Sequence, residues 1–443
     1  MTPGSGWSAL IAGTLLLGAS MPARAQQAVA PRLQGRVSVT VNTAAREFEG
    51  AETQNDTQVS TGVTLKTPDA DVDGAEVGLD LRLSRYMGVE RPQRVSIYDG
   101  FVGMRFGGSG RFRVRAGHMW LTDVGTSGAL AVGLFEYRQP ASDTKTRLRV
   151  GAFAGLEPAI YDLGYASGVR KQGGYVAIEK GFLRRHVIGY TQIRQGALTE
   201  RSVLSLTNFV PAGTRVFVYQ AAEFDVQGPA GGAAQRGLSY FLANVRVTPA
   251  ERFELAGTYN RGHSLDARRL TEDVLNGRPL TAQAIDGLRY ESAGGRATVE
   301  VLPRVRIYAG YSLDRNNRDD AATGRAILGG HAGNLFSSGL DVSASDSRVA
   351  RPGGAYHSQY FSVGHGIGRW GYLSGDYSTS LSVIRFLRSD GLIIETRPST
   401  RRFSGSASAT LTRNASLMFT MDYAKDDGMR DIRMMTSVTY RLR

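Results

Sequence analysis

The chain has 443 residues, with 53 Lys and Arg against 40 Asp and Glu, a formal net charge of +13, and no cysteine. The lack of cysteine excludes disulfides and thiol catalysis. The basic balance raises the question of nucleic acid, but the charges are spread over many segments without a recognition motif, so we predict no nucleic-acid partner.

The N-terminal segment is typical of a secretory signal peptide. An apolar run from Ala9 to Ser20 is too short to span a bilayer, and Ala23-Arg24-Ala25 has the A-x-A form that signal peptidase cuts, although no Lys or Arg precedes the run. We therefore predict a signal peptide over residues 1–25, a short periplasmic lead-in over residues 26–33 and a single remaining domain over residues 34–443.

From residue 34 onward, apolar and polar residues alternate in one short segment after another. Val37, Val39 and Val41, for example, are separated by Ser38 and Thr40. Because successive side chains of a strand point to opposite faces, each segment would have one apolar and one polar face. The same alternation recurs over residues 59–66, 76–84, 111–116, 147–150, 241–247, 253–260, 402–411 and 417–423.

Residues 296–314 form the clearest unit, a β-hairpin with a turn at Leu302-Pro303. One hairpin of this kind also fits a soluble sandwich. When some twenty strands carry ionised groups on one face, a closed barrel in lipid is favoured, since it turns the apolar face outward and leaves no unpaired edge. We predict an all-β fold, a transmembrane antiparallel up-and-down β-barrel of about 20 strands, with 18 to 22 possible.

Three longer insertions are expected at the outer end of the barrel: Glu157–Gly173, His263–Gly287 and Arg315 to about Ala355. The second contains two short helical patterns separated by Gly277-Arg278-Pro279. It could fold into the lumen as a constriction or cap the barrel outside. Leu335–Ser347, within the third insertion, is either a strand or part of the loop.

The secretory signal, the amphipathic hairpins and the closing strand together resemble bacterial outer-membrane β-barrel proteins of the porin-like kind. Such proteins end in an aromatic residue preceded by alternating apolar ones; here Tyr440-Arg441-Leu442 looks similar, with Leu442 in the terminal position and Arg443 as an extra residue. The resemblance implies outer-membrane lipid and the barrel-assembly machinery as partners, and a possible homo-oligomer. It identifies no solute.

Basic residues at predicted lumen positions are the first candidate for function. Fixed positive charge along a water-filled pore raises the local concentration of anions. Alternatively, Glu136 could pair with Arg113 and Arg147, so that the charges largely cancel. The candidate lining residues are Arg94, Arg105, Arg111, Arg113, Arg115, Glu136, Lys145, Arg147, Arg149, Arg304 and Arg306.

A second candidate is a calcium loop. Asp69, Asp71, Asp73 and Asp80 nearly match D-x-D-x-D-G-x5-E, with Asp in place of the final Glu. No flanking helices are predicted, so a solvated acidic turn is the simpler interpretation.

No enzyme and no cofactor is predicted. His263-Ser264 and His357-Ser358 are adjacent pairs whose side chains point to opposite faces, whereas membrane-embedded lipid hydrolases of this architecture place His and Ser two residues apart. The leading hypothesis is a channel for passive diffusion of small hydrophilic solutes with a weak anion preference. A non-conducting structural or adhesion barrel and a polysaccharide export conduit remain open at this point.

Overall fold

The computed structural model describes residues 33–68, 72–88, 93–121, 124–125, 129–140, 146–158, 164–180, 184–234, 236–387 and 392–442. The predicted signal peptide and almost all of the lead-in lie outside these residues. So do Asp69, Asp71 and Lys145 among the candidate site residues.

Strands dominate the described chain. They are β1 (Gln34–Phe48), β2 (Gln54–Lys66), β3 (Gly74–Met87), β4 (Arg94–Phe106), β5 (Phe112–Trp120), β6 (Ala129–Arg138), β7 (Arg147–Pro158), β8 (Tyr165–Lys180), β9 (Arg184–Gln195), β10 (Leu198–Ala212), β11 (Val216–Gln227), β12 (Gly237–Ala250), β13 (Phe253–Ser264), β14 (Leu288–Leu302), β15 (Val305–Asn316), β16 (Thr323–Leu335), β17 (Leu340–Arg351), β18 (Gly354–Ile367), β19 (Gly371–Leu387), β20 (Ile393–Thr396), β21 (Ser399–Thr410), β22 (Ala415–Asp426) and β23 (Met429–Leu442). Three short helical segments are α1 (Pro229–Gly232), α2 (Ala267–Leu275) and α3 (Ala282–Asp286). Within the described residues, no helix is long and apolar enough to cross a membrane.

Each long strand pairs antiparallel with the next one along the chain, and the first pairs with the last. Gly35 lies opposite Leu442 and Phe48 opposite Met429, so β1 and β23 close the ring. The short β20 pairs with the end of β19, while β21 pairs with β19 directly, so β20 lies outside the ring. The result is a closed up-and-down barrel of 22 strands, which confirms the predicted fold and range.

An apolar row covers the outer face. Val39, Val102, Ile188 and Leu328 lie on four different strands and are 44%, 43%, 54% and 60% exposed. Their sequence neighbours point inward, as Ser38 and Thr40 do beside Val39. This distribution is that of a barrel surrounded by lipid, with water or protein inside.

The barrel has two ends, which we name by what they carry. The terminal end holds Gln34 and Leu442, and its connections include very short turns at residues 251–252 and 303–304. The loop end is the opposite one, and it carries the connection from β13 to β14 with helices α2 and α3. The two helical patterns predicted in His263–Gly287 are therefore confirmed.

The other two predicted insertions are wrong. Tyr165–Gly173 belongs to β8, and most of Arg315–Ala355 forms β16 and β17, so Leu335–Ser347 includes strand from Leu340 onward. We predicted insertions there because the amino-acid composition of these strands hides their alternation. Gly329-Gly330 in β16 and the outward-facing Asp346 and Arg348 in β17 interrupt the apolar row from which we predicted strands.

Leu328→Arg tests the outward assignment at mid-strand. We expect it to lower the free energy of unfolding in vesicles by about 2 to 4 kcal/mol, since it places a charge on the lipid face near the bilayer midplane. Ile327→Arg, at the same depth but facing inward, should cost clearly less. Equal losses in denaturant titrations of the two variants would contradict the assignment.

Candidate functional site

A buried ionic cluster lines the inner face of β3 to β5. Glu76 lies 3.0 Å from Arg105, 3.1 Å from Arg113 and 2.9 Å from Arg115. The side chains of Glu76, Arg105 and Arg113 are at most 5% exposed. Charges this deeply buried are costly unless they are paired and hydrogen-bonded, and here one carboxylate serves three guanidinium groups.

A second carboxylate continues the cluster onto β6, β7 and β8. Glu136, with a side chain only 1% exposed, lies 3.2 Å from Arg113 and 3.0 Å from Arg149, and it accepts a hydrogen bond from the Tyr175 hydroxyl. Arg149 also contacts Glu179 at 2.8 Å. Arg113 therefore bridges the two carboxylates, and the cluster forms a continuous ladder across six strands.

Pairing within the ladder limits the contact that these arginines have with water and solutes. Arg105, Arg113 and Arg149 are 2%, 4% and 8% exposed, so their guanidinium groups meet carboxylates rather than water. Such pairing stabilises the inner wall, and the carboxylates of Glu76, Glu136 and Glu179 offset part of the positive charge of the arginines that contact them. Arg115 is the more accessible member, and its guanidinium also lies over the ring of Phe101 at 4.5 Å.

Arg94 and Arg111 lie apart from this ladder, exposed at strand ends. Arg147 occupies the first residue of β7 on the inward register, directly opposite Glu179 of the ladder. At the terminal end, Arg304 sits in the β14–β15 turn, and exposed Arg306 contacts Glu300 at 3.2 Å. The ten candidates that the structure describes thus do not form a single surface.

The calcium candidate is not assembled by the described residues. The Asp73 carboxylate accepts hydrogen bonds from the backbone N–H groups of Gly108 and Gly110, at 3.0 Å and 2.7 Å. Asp80 lies within β3, opposite Asp99. Within the described ranges, no three His, Cys, Asp or Glu side chains are grouped as a metal site would require.

The described residues of the connection between β5 and β6, Leu121, Val124 and Gly125, lie inside the barrel, which the sequence analysis missed. Val124 is 1% exposed and packs on Gly189 of β9, where a Cβ would come within 2.6 Å of its methyl carbon. Gly125 lies beside Ser205 of β10 and Glu223 of β11. An apolar core therefore exists inside the lumen; it contains Met119, Leu121, Val124, Leu134, Phe153, Tyr175, Ala177 and Val187. Leu134 and Phe153, apolar residues on the otherwise polar register, were the available signal.

Helix α2 reaches across the loop end to the inner side of distant strands. Arg268 contacts Glu200 of β10 at 2.6 Å and Glu157 of β7 at 3.1 Å, and Leu270 is buried. Burial alone would lower the pKa of Arg268, but these two carboxylates raise it above its ordinary value, so the arginine remains charged. This placement favours the constriction alternative over a cap that stands away from the barrel.

The opposite wall, from β13 through β23 to β2, stays open. Its inward side chains keep large exposed fractions: 61% for Arg306, 54% for Arg402 and 57% for Arg433. Hydroxyl groups dominate the surface between these charges, as in the Ser374–Ser406 and Thr40–Ser437 contacts at 2.7 Å and 2.9 Å. Such a wall suits hydrated solutes, because it offers both hydrogen-bond donors and acceptors.

Arginines on this open wall and on the neighbouring β12 lie over aromatic rings. The Arg296 guanidinium is 3.8 Å from the ring centroid of Tyr308, and that of Arg246 is 5.7 Å from Phe217. Tyr308 in turn lies across Gly329, where a Cβ would approach its ring to 2.5 Å. Among the described residues, no carboxylate lies within 4 Å of Arg246, Arg296 or the inward-facing Arg325. These three cations, which the sequence analysis did not single out, are accessible positive charges of the lumen.

No protein-family model and no curated protein matches the chain. Among solved structures, Pseudomonas aeruginosa OpdQ is similar with a TM-score of 0.42 and 8% identity, over 93% of this chain and 99% of that one. Pseudomonas aeruginosa OccK2 (OpdF) gives 0.43 and 11%, over 93% and 98%, and Acinetobacter baumannii OccAB4 gives 0.42 and 8%, over 93% and 98%. These values carry no argument about the lumen.

Glu136→Gln tests the ladder. We expect it to destabilise the barrel by about 3 to 5 kcal/mol, because it leaves the buried Arg113 and Arg149 without a shared counter-charge. Glu300→Gln, which removes the carboxylate partner of the exposed Arg306, is the matched control and should change little. The measurement is the free energy of unfolding of both variants in denaturant. Equal small losses in the two would mean that the ladder is not a stabilising unit.

The architecture is therefore assigned from the barrel's closure and from the polarity of its two faces. The ring is closed by β1 and β23, its outer row is apolar, and its inner wall is polar where it is exposed. This chain is a closed antiparallel β-barrel of 22 strands with the apolar outer face of a transmembrane barrel.

Proposed function

We propose that the protein is a channel for passive diffusion of small hydrophilic solutes across the outer membrane, with a weak anion preference. The observation that carries the proposal is the asymmetry of the lumen. One side is filled by the β5–β6 connection and the ionic ladder, whereas the wall from β13 to β2 keeps charged and hydroxyl side chains accessible to water. A hydrated solute would pass along this second wall.

The anion preference is assigned to Arg246, Arg296 and Arg325 rather than to the ladder. Each of the three faces the exposed part of the lumen, and fixed cations there raise the local anion concentration. The preference is weak because carboxylates such as Asp376 and Asp422 share the same wall.

Biogenesis follows from the same proposal. The chain would be exported through the periplasm after cleavage behind Ala25, and inserted by the barrel-assembly machinery through its closing strand. A homo-oligomer remains a prediction. No catalytic chemistry is proposed, since the ladder and the open wall account for the ionised groups described above.

Planar-bilayer recording of the refolded mature protein under a KCl gradient tests the channel. Discrete conductance steps with a reversal potential that favours chloride are expected. Silence from a folded, heat-modifiable barrel would contradict the channel function and would favour a partner-binding barrel instead.

The triple variant Arg246→Gln, Arg296→Gln, Arg325→Gln tests the source of selectivity. Its reversal potential should shift toward cation preference, because three accessible positive charges without a carboxylate partner are gone. The control removes three charges from the outer face: Arg401→Gln, Lys425→Gln, Arg430→Gln. If the two triples shift the potential equally, the open wall does not set the selectivity.

Arg268→Glu tests the constriction. The substitution places a carboxylate against Glu200 and Glu157 and should detach α2 from the inner wall, since like charges repel at these distances. We expect higher conductance and more frequent transitions between levels. Arg278→Glu, on the same connection but 69% exposed, is the control. An unchanged trace for Arg268→Glu would place α2 outside the conduction path.

A further inference from the structure

Three basic residues lie side by side on the outer face near the loop end. Arg401 of β21 is opposite Lys425 of β22, and Lys425 is opposite Arg430 of β23. All three are exposed, and they share the outward register with Phe403 and Met421. We name Arg401, Lys425 and Arg430 the outer basic row.

This arrangement is unfavourable by itself, because like charges directly opposite each other on neighbouring strands repel. Glu47 of β1 contacts Arg430 at 3.6 Å and offsets one of the three charges. Among the described residues, Arg401 and Lys425 have no carboxylate within 4 Å. The row therefore holds positive charge that the protein does not neutralise.

The inward residues of the same strands show the opposite arrangement. Arg402, next to Arg401, contacts Asp422 of β22 at 2.8 Å, and Arg433 of β23 contacts Asp431. Charges are thus balanced on the side that faces the lumen. The excess on the outer side is specific to the face that meets the membrane.

An aromatic row fixes the depth of these cations. Tyr377, Phe403 and Tyr423 lie one outward position closer to the apolar belt, with ring centroids 4.7 Å and 6.4 Å apart. Aromatic girdles of barrels mark the boundary between hydrocarbon and headgroups. The outer basic row therefore lies at headgroup level.

We propose that the outer basic row binds the phosphate groups of an anionic lipid in the leaflet at the loop end. Guanidinium groups bind phosphate oxygens through paired N–H donors, and the Lys425 ammonium adds a third donor group between the two arginines. A lipid is the occupant rather than a soluble phosphate because its acyl chains would lie along the aromatic row below. The site is independent of conduction through the lumen.

Spin-labelled lipids in phosphatidylcholine vesicles test the proposal on the intact refolded barrel. We expect the wild-type protein to associate more strongly with labelled phosphatidic acid than with labelled phosphatidylcholine. In the variant Arg401→Gln, Lys425→Gln, Arg430→Gln this preference should fall about fivefold or more, because each basic residue near a membrane surface attracts anionic lipid appreciably.

The matched control is the lumen triple Arg246→Gln, Arg296→Gln, Arg325→Gln, which removes the same charge from the inner face and should keep the preference. An equal loss in both triples, or none in the outer triple, would overturn the proposal. So would a loss caused by excess inorganic phosphate but not by chloride of equal ionic strength, since that indicates a soluble-phosphate site. A dimer that the outer triple abolishes would assign the row to a second copy of the chain. If the outer triple fails to fold, the single variant Lys425→Gln gives the same comparison.

Discussion

Closure of the ring is the constraint on which the rest of this molecule depends. In hydrocarbon no water is present to satisfy a backbone N–H or C=O group, so a sheet crosses a membrane only when its first and last strands pair. Here β1 and β23 pair over fourteen residues, from Gly35–Leu442 to Phe48–Met429. Once that edge is closed, every strand has one face in lipid and one toward the lumen.

The closed ring is wide, and the interior is filled unequally. On the side of β3 to β11, the β5–β6 connection brings Leu121 and Val124 against inward apolar residues, and Glu76 and Glu136 hold the neighbouring arginines. On the other side, hydroxyl groups and scattered ion pairs line a wall that remains exposed. One half of the barrel therefore carries the buried ionic and apolar contacts, and the other half carries the exposed wall along which we propose that solutes pass.

The partner of each arginine likewise depends on whether the guanidinium group is buried, faces water or faces the membrane. Where guanidinium groups are buried, as in Arg113, they are shared between carboxylates, because an unpaired buried ion would be too costly. Where a guanidinium group faces water, as that of Arg296 does, it lies over an aromatic ring and not against a carboxylate. Where Arg401 and Lys425 face the membrane boundary, the anionic partner we assign is the lipid.

Sequence alternation alone predicted the fold class, the range of strand number, the two helices between β13 and β14, and the antiparallel order. These properties depend on residues close in sequence, since a period of two and short turns define a hairpin locally. It failed where the local pattern is weak, in Gly329-Gly330 of β16 and in β17 with its outward Asp346 and Arg348.

Which arginines are accessible could not be read from the sequence. Arg113 and Arg296 both alternate with apolar residues on a strand, yet one is 4% exposed and the other lies on an open wall. The difference depends on a loop entering the lumen from another part of the chain and on cross-strand register. Sequence by itself determined that this protein is a barrel with an apolar exterior; only the tertiary structure decided which inner charges are neutralised, because neutralisation depends on contacts between residues far apart in sequence.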